Sequence, residues 1–179
     1  MQRKIFISIN LSERAKKRLI KAIEPWEDLP VKWTREENLH ITLAFLGHVS
    51  DESIPEICEK VRTASQKSEI FDINFDRIVI APSEADQKMI WLSGEADDNL
   101  RDLVNNIEKE LDLSSGKKSF RPHVTLGRLR VYRWKALENR PEINVEFPLI
   151  VTAESVDVMA SDFAGGGMEY SVIESCPLE

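Results

Sequence analysis

The sequence contains the same short pattern twice, and this repeat constrains the fold more than any other feature. Residues 39–47 read LHITLAFLG, and residues 122–130 read PHVTLGRLR. One histidine, one threonine and two leucines are identical, and both copies have the composition of a β-strand. The chain has three histidines, and two of them occupy the same place in the repeat. The simplest interpretation is two similar lobes that each present one H-x-T strand.

Hydrophobic periodicity and capping residues divide the rest of the chain into helices and strands. Three helices are predicted, at about residues 12–23, 51–67 and 97–113, with N-caps at Ser12, Asp51 and Asp97. Strands are predicted before, between and after them, and several are joined too closely for a parallel crossover. The order therefore favours an α+β fold with antiparallel sheets over a doubly wound parallel sheet.

The two H-x-T motifs are each predicted to lie in a strand. The first strand is predicted to end at Gly47, and the second is predicted over residues 120–129. The run 165–167 is three consecutive glycines, for which a hairpin turn into the last strand is favoured over a phosphate-binding loop.

Composition excludes several classes of protein. Hydrophobic residues make up 42% and charged residues 31% of the 179 residues, which is ordinary for a soluble globular domain. No apolar run approaches the roughly 20 residues of a membrane helix, and no secretory signal is apparent. Cys58 and Cys176 form no CxxC pair, which argues against a disulfide framework and fits a reducing cytoplasm. We expect a cytoplasmic monomer with no membrane partner.

The charge is distributed unevenly. The net charge is −7, yet residues 117–135 contain seven basic residues and no acidic one. A basic segment on an acidic protein suggests a local anion site rather than a broad surface for nucleic-acid backbone. Charge alone, however, favours a solvated basic face made of a strand and a helix.

Strand geometry gives the repeat a chemical meaning. Residues i and i+2 of a strand share a face, so His40 lies with Thr42, and His123 with Thr125. If those faces meet at a cleft, one imidazole can accept a proton while the other donates one. The alternatives are ordinary structural histidines or a zinc site, but no pattern supplies a convincing third ligand. His48 lies beyond the predicted strand end and is given no role in the site.

These residues also carry a family resemblance. The two H-x-T-L motifs resemble the signature of the two-histidine (2H) phosphoesterases. KIFISINLSE, NLHITLAFLG and FRPHVTLGRLR resemble one branch, the RNA 2′,3′-cyclic phosphodiesterases, also called 2′-5′ RNA ligases. The resemblance extends over nearly the whole chain. It implies a single 2H phosphoesterase domain over residues 1–179, made of two interleaved lobes. These lobes would be pseudo-symmetric α+β halves with antiparallel sheets and helices on the outside, and the active-site cleft would lie between them.

The resemblance also implies a reaction. It is metal-independent, needs no cofactor, and opens the 2′,3′-cyclic phosphate at an RNA or nucleotide end to a 2′-phosphate. The same site run backwards would be a 2′-5′ RNA ligase. His40 matches the family's general acid and His123 its general base. Thr42 and Thr125 match hydroxyls that hold phosphate oxygens.

Three further residues are candidate substrate contacts. Phe45 and Arg128 follow their histidines by five positions, where the resemblance implies contacts to the base and the phosphate. Strict alternation places them on the opposite face, so they reach the site only if each strand ends or bulges first. Phe45 could instead pack in the core. Arg121, just before the second motif, is a candidate contact to RNA phosphate.

Two other functions remain open at this point. A different enzyme could use the same site on a small cyclic ester, such as ADP-ribose 1″,2″-cyclic phosphate. A non-catalytic RNA-binding module could use the basic segment 117–135, although binding alone needs no imidazole in each lobe.

Overall fold

The computed structural model describes residues 1–114 and 120–179. Within these ranges, the α-helices are α1 (Glu13–Ile23), α2 (Ile54–Ser65), α3 (Asp98–Glu110) and α4 (Val131–Lys135). The strands are β1 (Gln2–Asn10), β2 (Val31–Trp33), β3 (His40–Ser50), β4 (Phe71–Pro82), β5 (Gln87–Gly94), β6 (His123–Leu129), β7 (Asn144–Ala153), β8 (Ser155–Ala164) and β9 (Gly167–Pro177). Short 3₁₀ helices cover Glu24–Trp26, Glu36–Asn38 and Asp51–Ser53.

The three predicted helices are confirmed, and two of their caps are seen directly. The side chains of Ser12 and Asp97 each accept a hydrogen bond from the backbone N–H three residues further on. This satisfies one of the amides that the first turn leaves unpaired. At the second helix, Asp51 begins a 3₁₀ helix instead, and α2 follows it with Pro55 in its first turn.

The strands form one sheet in which every pairing described is antiparallel, in the order β7-β4-β5-β6-β3-β1-β8-β9, with β2 paired to β6. The predicted α+β fold with antiparallel pairing is therefore confirmed. The two H-x-T strands, β3 and β6, lie side by side at the middle of this order, so the chain brings together motifs 83 residues apart.

The join between β3 and β6 is one residue pair, Ile41 opposite Val124. Both side chains are fully buried, and Leu43 and Leu126 two residues further on are buried as well. They belong to one hydrophobic core with the inward faces of α1, α2 and α3. Alternation then directs the histidine and threonine of each motif away from this core.

Two predicted strand boundaries are wrong. β3 continues through Gly47 to Ser50 because Gly47 takes a positive φ of 74° beside a register shift, which lets the strand kink without ending. β6 starts at His123 rather than at residue 120. The turn predicted at 165–167 is confirmed: Gly165 and Gly166 both have positive φ, and Ala164 pairs with Gly167 across the hairpin.

The segment after β6 contains a helix that sequence periodicity did not predict. α4 has five residues, too few to show a helical pattern. It is held by Trp134, which is fully buried and donates its indole N–H to Gln87 Oε1 at 2.8 Å. Two lysines of the basic segment, Lys117 and Lys118, lie outside the described residues.

Two findings bear on the class of protein. In the described part of the chain, no helix is both long enough and apolar enough to cross a membrane. Cys58 and Cys176 are both free thiols and both buried.

Candidate active site

A cavity of about 640 Å³ opens over the middle of the sheet. Six of the seven predicted site residues line it: His40, Thr42, Phe45, His123, Thr125 and Arg128. The fold thus brings the two motifs to one place, on the side of the sheet away from Ile41 and Val124.

The pairing of β3 with β6 sets the relation between the motifs. Ile41 is opposite Val124. One residue further in each direction, this antiparallel register sets His40 opposite Thr125 and Thr42 opposite His123. Each imidazole therefore neighbours the hydroxyl of the other motif as well as its own, and a phosphate between the strands can meet all four groups.

A bulge in β3 resolves the predicted conflict over Phe45. Thr42 is paired with Ser8, and Phe45 is paired with Phe6. Between these two pairs β3 advances by three residues while β1 advances by two, so β3 contains one extra residue. The extra residue shifts the alternation and turns Phe45 to the face of His40. Its side chain is 69% exposed at the cavity and is not packed in the core.

β6 contains a matching bulge. Thr125 is paired with Trp91 and Arg128 with Met89, so three steps along β6 again match two along β5. Arg128 is thereby turned to the face of His123 and lines the cavity with its side chain exposed. The two motifs share their bulge as well as their sequence.

Hydrogen bonding fixes the tautomer of His40. Its Nδ1 is 2.6 Å from the carbonyl oxygen of Asn38, and a carbonyl can only accept, so Nδ1 carries a proton. Its Nε2 is 2.8 Å from Thr42 Oγ1, so in the neutral ring the threonine hydroxyl donates to Nε2. The ring contacts Phe6 at 5.0 Å and the edge of Tyr170 at 5.3 Å, measured between ring centroids.

His123 is held in the same way. Its Nδ1 is 3.0 Å from the carbonyl oxygen of Arg121, again two residues earlier in the chain, so Nδ1 donates there too. Its ring stacks on Trp91, with centroids 3.8 Å apart and planes tilted by 16°. In both histidines Nε2 is thus the nitrogen available for proton exchange.

Burial lowers the pKa of both histidines, because a charged imidazole loses hydration inside the protein. Positive charge adds to this effect: His123 and Lys16 lower the pKa of His40, and Arg121 and Arg128 lower that of His123. The carbonyls of Asn38 and Arg121 oppose the shift. These shifts favour two neutral rings, and a bound anion would favour the charged form of one of them.

Arg121 lies beside the cavity rather than in its lining. Its guanidinium donates to Ser93 Oγ from Nε at 3.2 Å and from Nη2 at 2.9 Å, and lies 5.9 Å from the ring centroid of Trp91. It lines an adjoining cavity instead. Within the described ranges, no cluster of three or more His, Cys, Asp or Glu side chains is placed to hold a metal ion.

Comparison with known proteins points to one family. Residues 9–91 match the family described as LigT like phosphoesterase. A relative from Thermotoga maritima is 29% identical over 97% of this chain and 95% of its own length, and is described as an RNA 2′,3′-cyclic phosphodiesterase. A relative from Methanocaldococcus jannaschii with the same description is 28% identical over 96% of this chain and 98% of its own length. The chain is therefore similar to LigT-like phosphoesterases and to RNA 2′,3′-cyclic phosphodiesterases.

Solved structures agree with the fold of a LigT-like protein. A crystal structure of E. coli LigT complexed with ATP superimposes with a TM-score of 0.79 over 99% of both chains, at 22% identity. The complex of E. coli LigT with 3′-AMP gives 0.77 over 99% of both chains at 22% identity. The protein TT0787 of Thermus thermophilus gives 0.78 over 98% of this chain and 97% of its own, also at 22% identity.

Several residues that line or adjoin this cavity were not predicted from the sequence. Lys4 and Phe6 reach the cavity from β1, Tyr170 from β9, and Trp91 stacks on His123 from β5. The sequence shows which residues of a strand share a face. It does not show which strands are neighbours in the sheet, so these residues could not be placed beside the histidines. The carbonyls that hold the two histidines belong to the backbone and leave no sequence signal.

His48 is the one histidine outside the site. The strand does continue past Gly47, contrary to the prediction, and two register shifts in β3 return His48 to the face of the cavity, opposite Lys4. Even so, His48 is not among the residues that line either cavity near the motifs. It therefore serves as a natural control for the other two.

Proposed function

We propose that this LigT-like protein is an RNA 2′,3′-cyclic phosphodiesterase that opens the cyclic phosphate at an RNA end to a 2′-phosphate. The observation that carries the proposal is the shared arrangement of His40 and His123, which line one cavity with each Nδ1 donating to the carbonyl two residues before it. The description of the two relatives that match nearly the full chain supports the same substrate.

The two imidazoles would act on opposite sides of phosphorus. Nε2 of His123 accepts a proton from the attacking water, and Nε2 of His40 gives a proton to the departing ribose 3′-oxygen. The bond from phosphorus to the 3′-oxygen breaks, and the phosphate stays on the 2′-oxygen. Each proton transfer typically contributes about 10²–10⁴-fold to the rate.

The phosphate would be held by the groups between the rings. Thr42 and Thr125 are placed to donate to its non-bridging oxygens, where preorganised donors stabilise the charge that develops during attack. Arg128, on the cavity face of β6, adds a positive charge. Phe45, exposed at the cavity, offers a flat apolar surface to the base.

Substrate binding would also reset the protonation of His40. Burial lowers the pKa of His40, whereas a histidine that acts as a general acid must be charged. The anionic phosphate favours the charged imidazole, so binding and protonation of His40 reinforce one another. We assign the proton to His40 because Thr42 can then accept from Nε2, reversing the bond seen in the neutral ring.

In this proposal residues 1–179 form one domain of two pseudo-symmetric, interleaved lobes. The strand order supports it, since β7-β4-β5-β6 and β3-β1-β8-β9 each contribute four strands and meet at the two motif strands. The catalytic pair would then come from equivalent positions in the two lobes.

The test is hydrolysis of an oligonucleotide that ends in a 2′,3′-cyclic phosphate. ³¹P NMR identifies whether the product phosphate remains on the 2′- or the 3′-oxygen. His40→Asn and His123→Asn should each lose about 10²–10⁴-fold in kcat while keeping their fold, and His48→Asn should remain active. A 3′-phosphate product, or a wild-type protein without turnover at any pH, would refute the proposal. A clear preference for ADP-ribose 1″,2″-cyclic phosphate in a substrate panel would replace RNA as the substrate.

A further inference from the structure

The chain between β2 and β3 contacts the strands of both H-x-T motifs, and we call residues 34–38 the bridging segment. It follows β2, which is paired with β6, and it leads through Leu39 directly into His40. Two of its residues, Thr34 and Asn38, line the cavity that holds the two histidines, although neither was predicted from the sequence. The proposed reaction gives neither of them a role.

The first end of the bridging segment is fixed to the second motif. The backbone N–H of Thr34 donates to the carbonyl oxygen of Leu126 at 2.9 Å, and its Oγ1 donates to the carbonyl oxygen of Thr125 at 2.9 Å. Just before it, Trp33 is paired with Gly127, where a Cβ would lie 2.9 Å from the indole ring. The glycine therefore allows the bridging segment to start close against β6.

The other end of the bridging segment is fixed to the start of β9. Asn38 Nδ2 donates to the carbonyl oxygen of Met168 at 3.0 Å. The guanidinium of Arg35 lies against Gly167, where a Cβ would come within 3.0 Å of Nη2. Met168 and Tyr170 of the same strand line the cavity. These contacts thus hold the part of the cavity wall that β9 forms against the bridging segment.

Asn38 joins this wall to His40. Its side chain donates to Met168, and its backbone carbonyl accepts the proton on Nδ1 of His40 at 2.6 Å. Asn38 is also the last residue of the 3₁₀ helix Glu36–Asn38, which is a single turn. Such a turn has few hydrogen bonds of its own, and their geometry is poorer than in an α-helix. We therefore expect the direction of the Asn38 carbonyl to depend on the bond that its side chain makes to β9.

We propose that Asn38 is a positioning residue for His40, because its side chain, anchored on β9, aims its own carbonyl at Nδ1. A carbonyl can only accept, so this contact keeps one proton on Nδ1 and leaves Nε2 to exchange the other. When the charged ring gives up its Nε2 proton it becomes the Nδ1–H tautomer, which the same carbonyl stabilises. The catalytic part of this role rests on the proposed function, since it concerns the proton that His40 gives to the leaving oxygen.

The contact that is lost limits the size of the effect. Removing one neutral hydrogen bond changes an equilibrium by roughly 2- to 12-fold, so Asn38→Ala should lower kcat for a cyclic-phosphate-ended oligonucleotide by no more than that and leave KM unchanged. Burial lowers the pKa of His40, and the Asn38 carbonyl opposes that shift. With the carbonyl misaligned, the pKa of His40 should fall further. Since His40 acts in its charged form, the alkaline limb of the kcat profile should then move to lower pH.

The experiment observes the His40 ring directly. Long-range ¹H–¹⁵N NMR spectra of the protein labelled with ¹⁵N-histidine distinguish the two neutral tautomers, and His40→Asn identifies the signals of His40. The wild type should show the Nδ1–H tautomer where the ring is neutral. Asn38→Ala should shift His40 toward the Nε2–H tautomer, while His123, which is held by the Arg121 carbonyl, keeps its signals. Asn38→Leu keeps the bulk without the donor and should have the same effect.

Asn144→Ala is the matched control. The side chain of Asn144 also makes one hydrogen bond, accepting from Arg77 Nε at 2.6 Å, but it lies in β7 and does not line the cavity. This variant should leave the signals of His40 and kcat unchanged. A His40 tautomer that stays the same in both Asn38 variants, or a change in KM alone, would overturn the role of Asn38. Because the spectra need no substrate, a protein that fails to open cyclic phosphates would refute the proposed function while the spectra still decide the role of Asn38.

Discussion

Ile41 of β3 lies directly opposite Val124 of β6, and in the described sheet this pair is the only one that joins the two motif strands. Each residue stands between the histidine and the threonine of its own motif. Because both side chains are fully buried, the pair anchors the face that carries the two histidines to the core beneath it. The distance between the two motifs thus depends on two aliphatic side chains that do not line the cavity.

Truncating this anchor should therefore reduce both stability and activity. We expect Ile41→Ala to lower the free energy of unfolding by about 2–5 kcal/mol, as is usual for a buried isoleucine. Ile78→Ala, at an equally buried position in β4 away from the cleft, should cost a similar amount. Urea denaturation measures the free energy of unfolding, and kcat/KM per folded molecule measures the activity. Only Ile41→Ala should lower kcat/KM, and equal values for the two variants would contradict the role of the anchor.

The bulge in β3 predicts a binding role for Phe45. Its side chain is 69% exposed, so Phe45→Ala should leave the melting temperature nearly unchanged. Loss of one stacked base should raise KM for a cyclic nucleotide by roughly 5- to 150-fold. Phe163→Ala, with a side chain that is 73% exposed and outside both cavities, is the matched control. A KM that stays at the wild-type value would place the base elsewhere.

The sequence predicts the site better than it predicts the strands that form it. Alternation correctly places His40 on the same face as Thr42, and His123 on the same face as Thr125. Residues two positions apart share a face in any regular strand, whatever its neighbours are. Alternation places Phe45 wrongly, because a bulge is a mismatch between partner strands and neither strand records it alone. Trp91 and Tyr170 were missed for a related reason, since their place beside the histidines depends on strand order.

The pH profile of kcat/KM should be shifted to lower pH than a profile set by two imidazoles with ordinary pKa values. Burial lowers the pKa of both rings, so protonated His40 is already being lost as the pH rises toward neutrality. Arg121→Gln removes a positive charge that lowers the pKa of His123, so the acid limb should move to higher pH. Arg133→Gln, an exposed change on α4, should leave the limb in place. An acid limb that does not move in Arg121→Gln would mean that His123 is not the base.

The same shifts predict how stability depends on pH. A histidine whose folded-state pKa is lowered binds fewer protons when folded than when unfolded. The contribution of the two histidines to the free energy of unfolding should therefore be fully present above the unfolded pKa of about 6.5. It should be lost as the pH falls below that value. Urea unfolding at about pH 7.5 and about pH 5.5, on either side of that value, should show this loss in the wild type and a smaller loss in the double variant His40→Asn, His123→Asn. An equal loss in both proteins would assign the acid sensitivity to other groups.

Thr42 offers the sharpest separation of chemistry from binding. Its hydroxyl lies 2.8 Å from Nε2 of His40, the nitrogen that carries the transferred proton in the proposed reaction. Thr42→Val keeps the shape but loses the hydroxyl, and the loss of a hydrogen bond to a charged group should lower kcat by roughly 10- to 150-fold. Thr42→Ser should retain most of the activity. Thr152→Val, which removes a surface hydroxyl bonded to Asp72, is the control for the substitution itself. Because the hydroxyl acts on a proton that moves only during turnover, the effect should appear in kcat more than in KM. A change confined to KM would instead make Thr42 a binding residue.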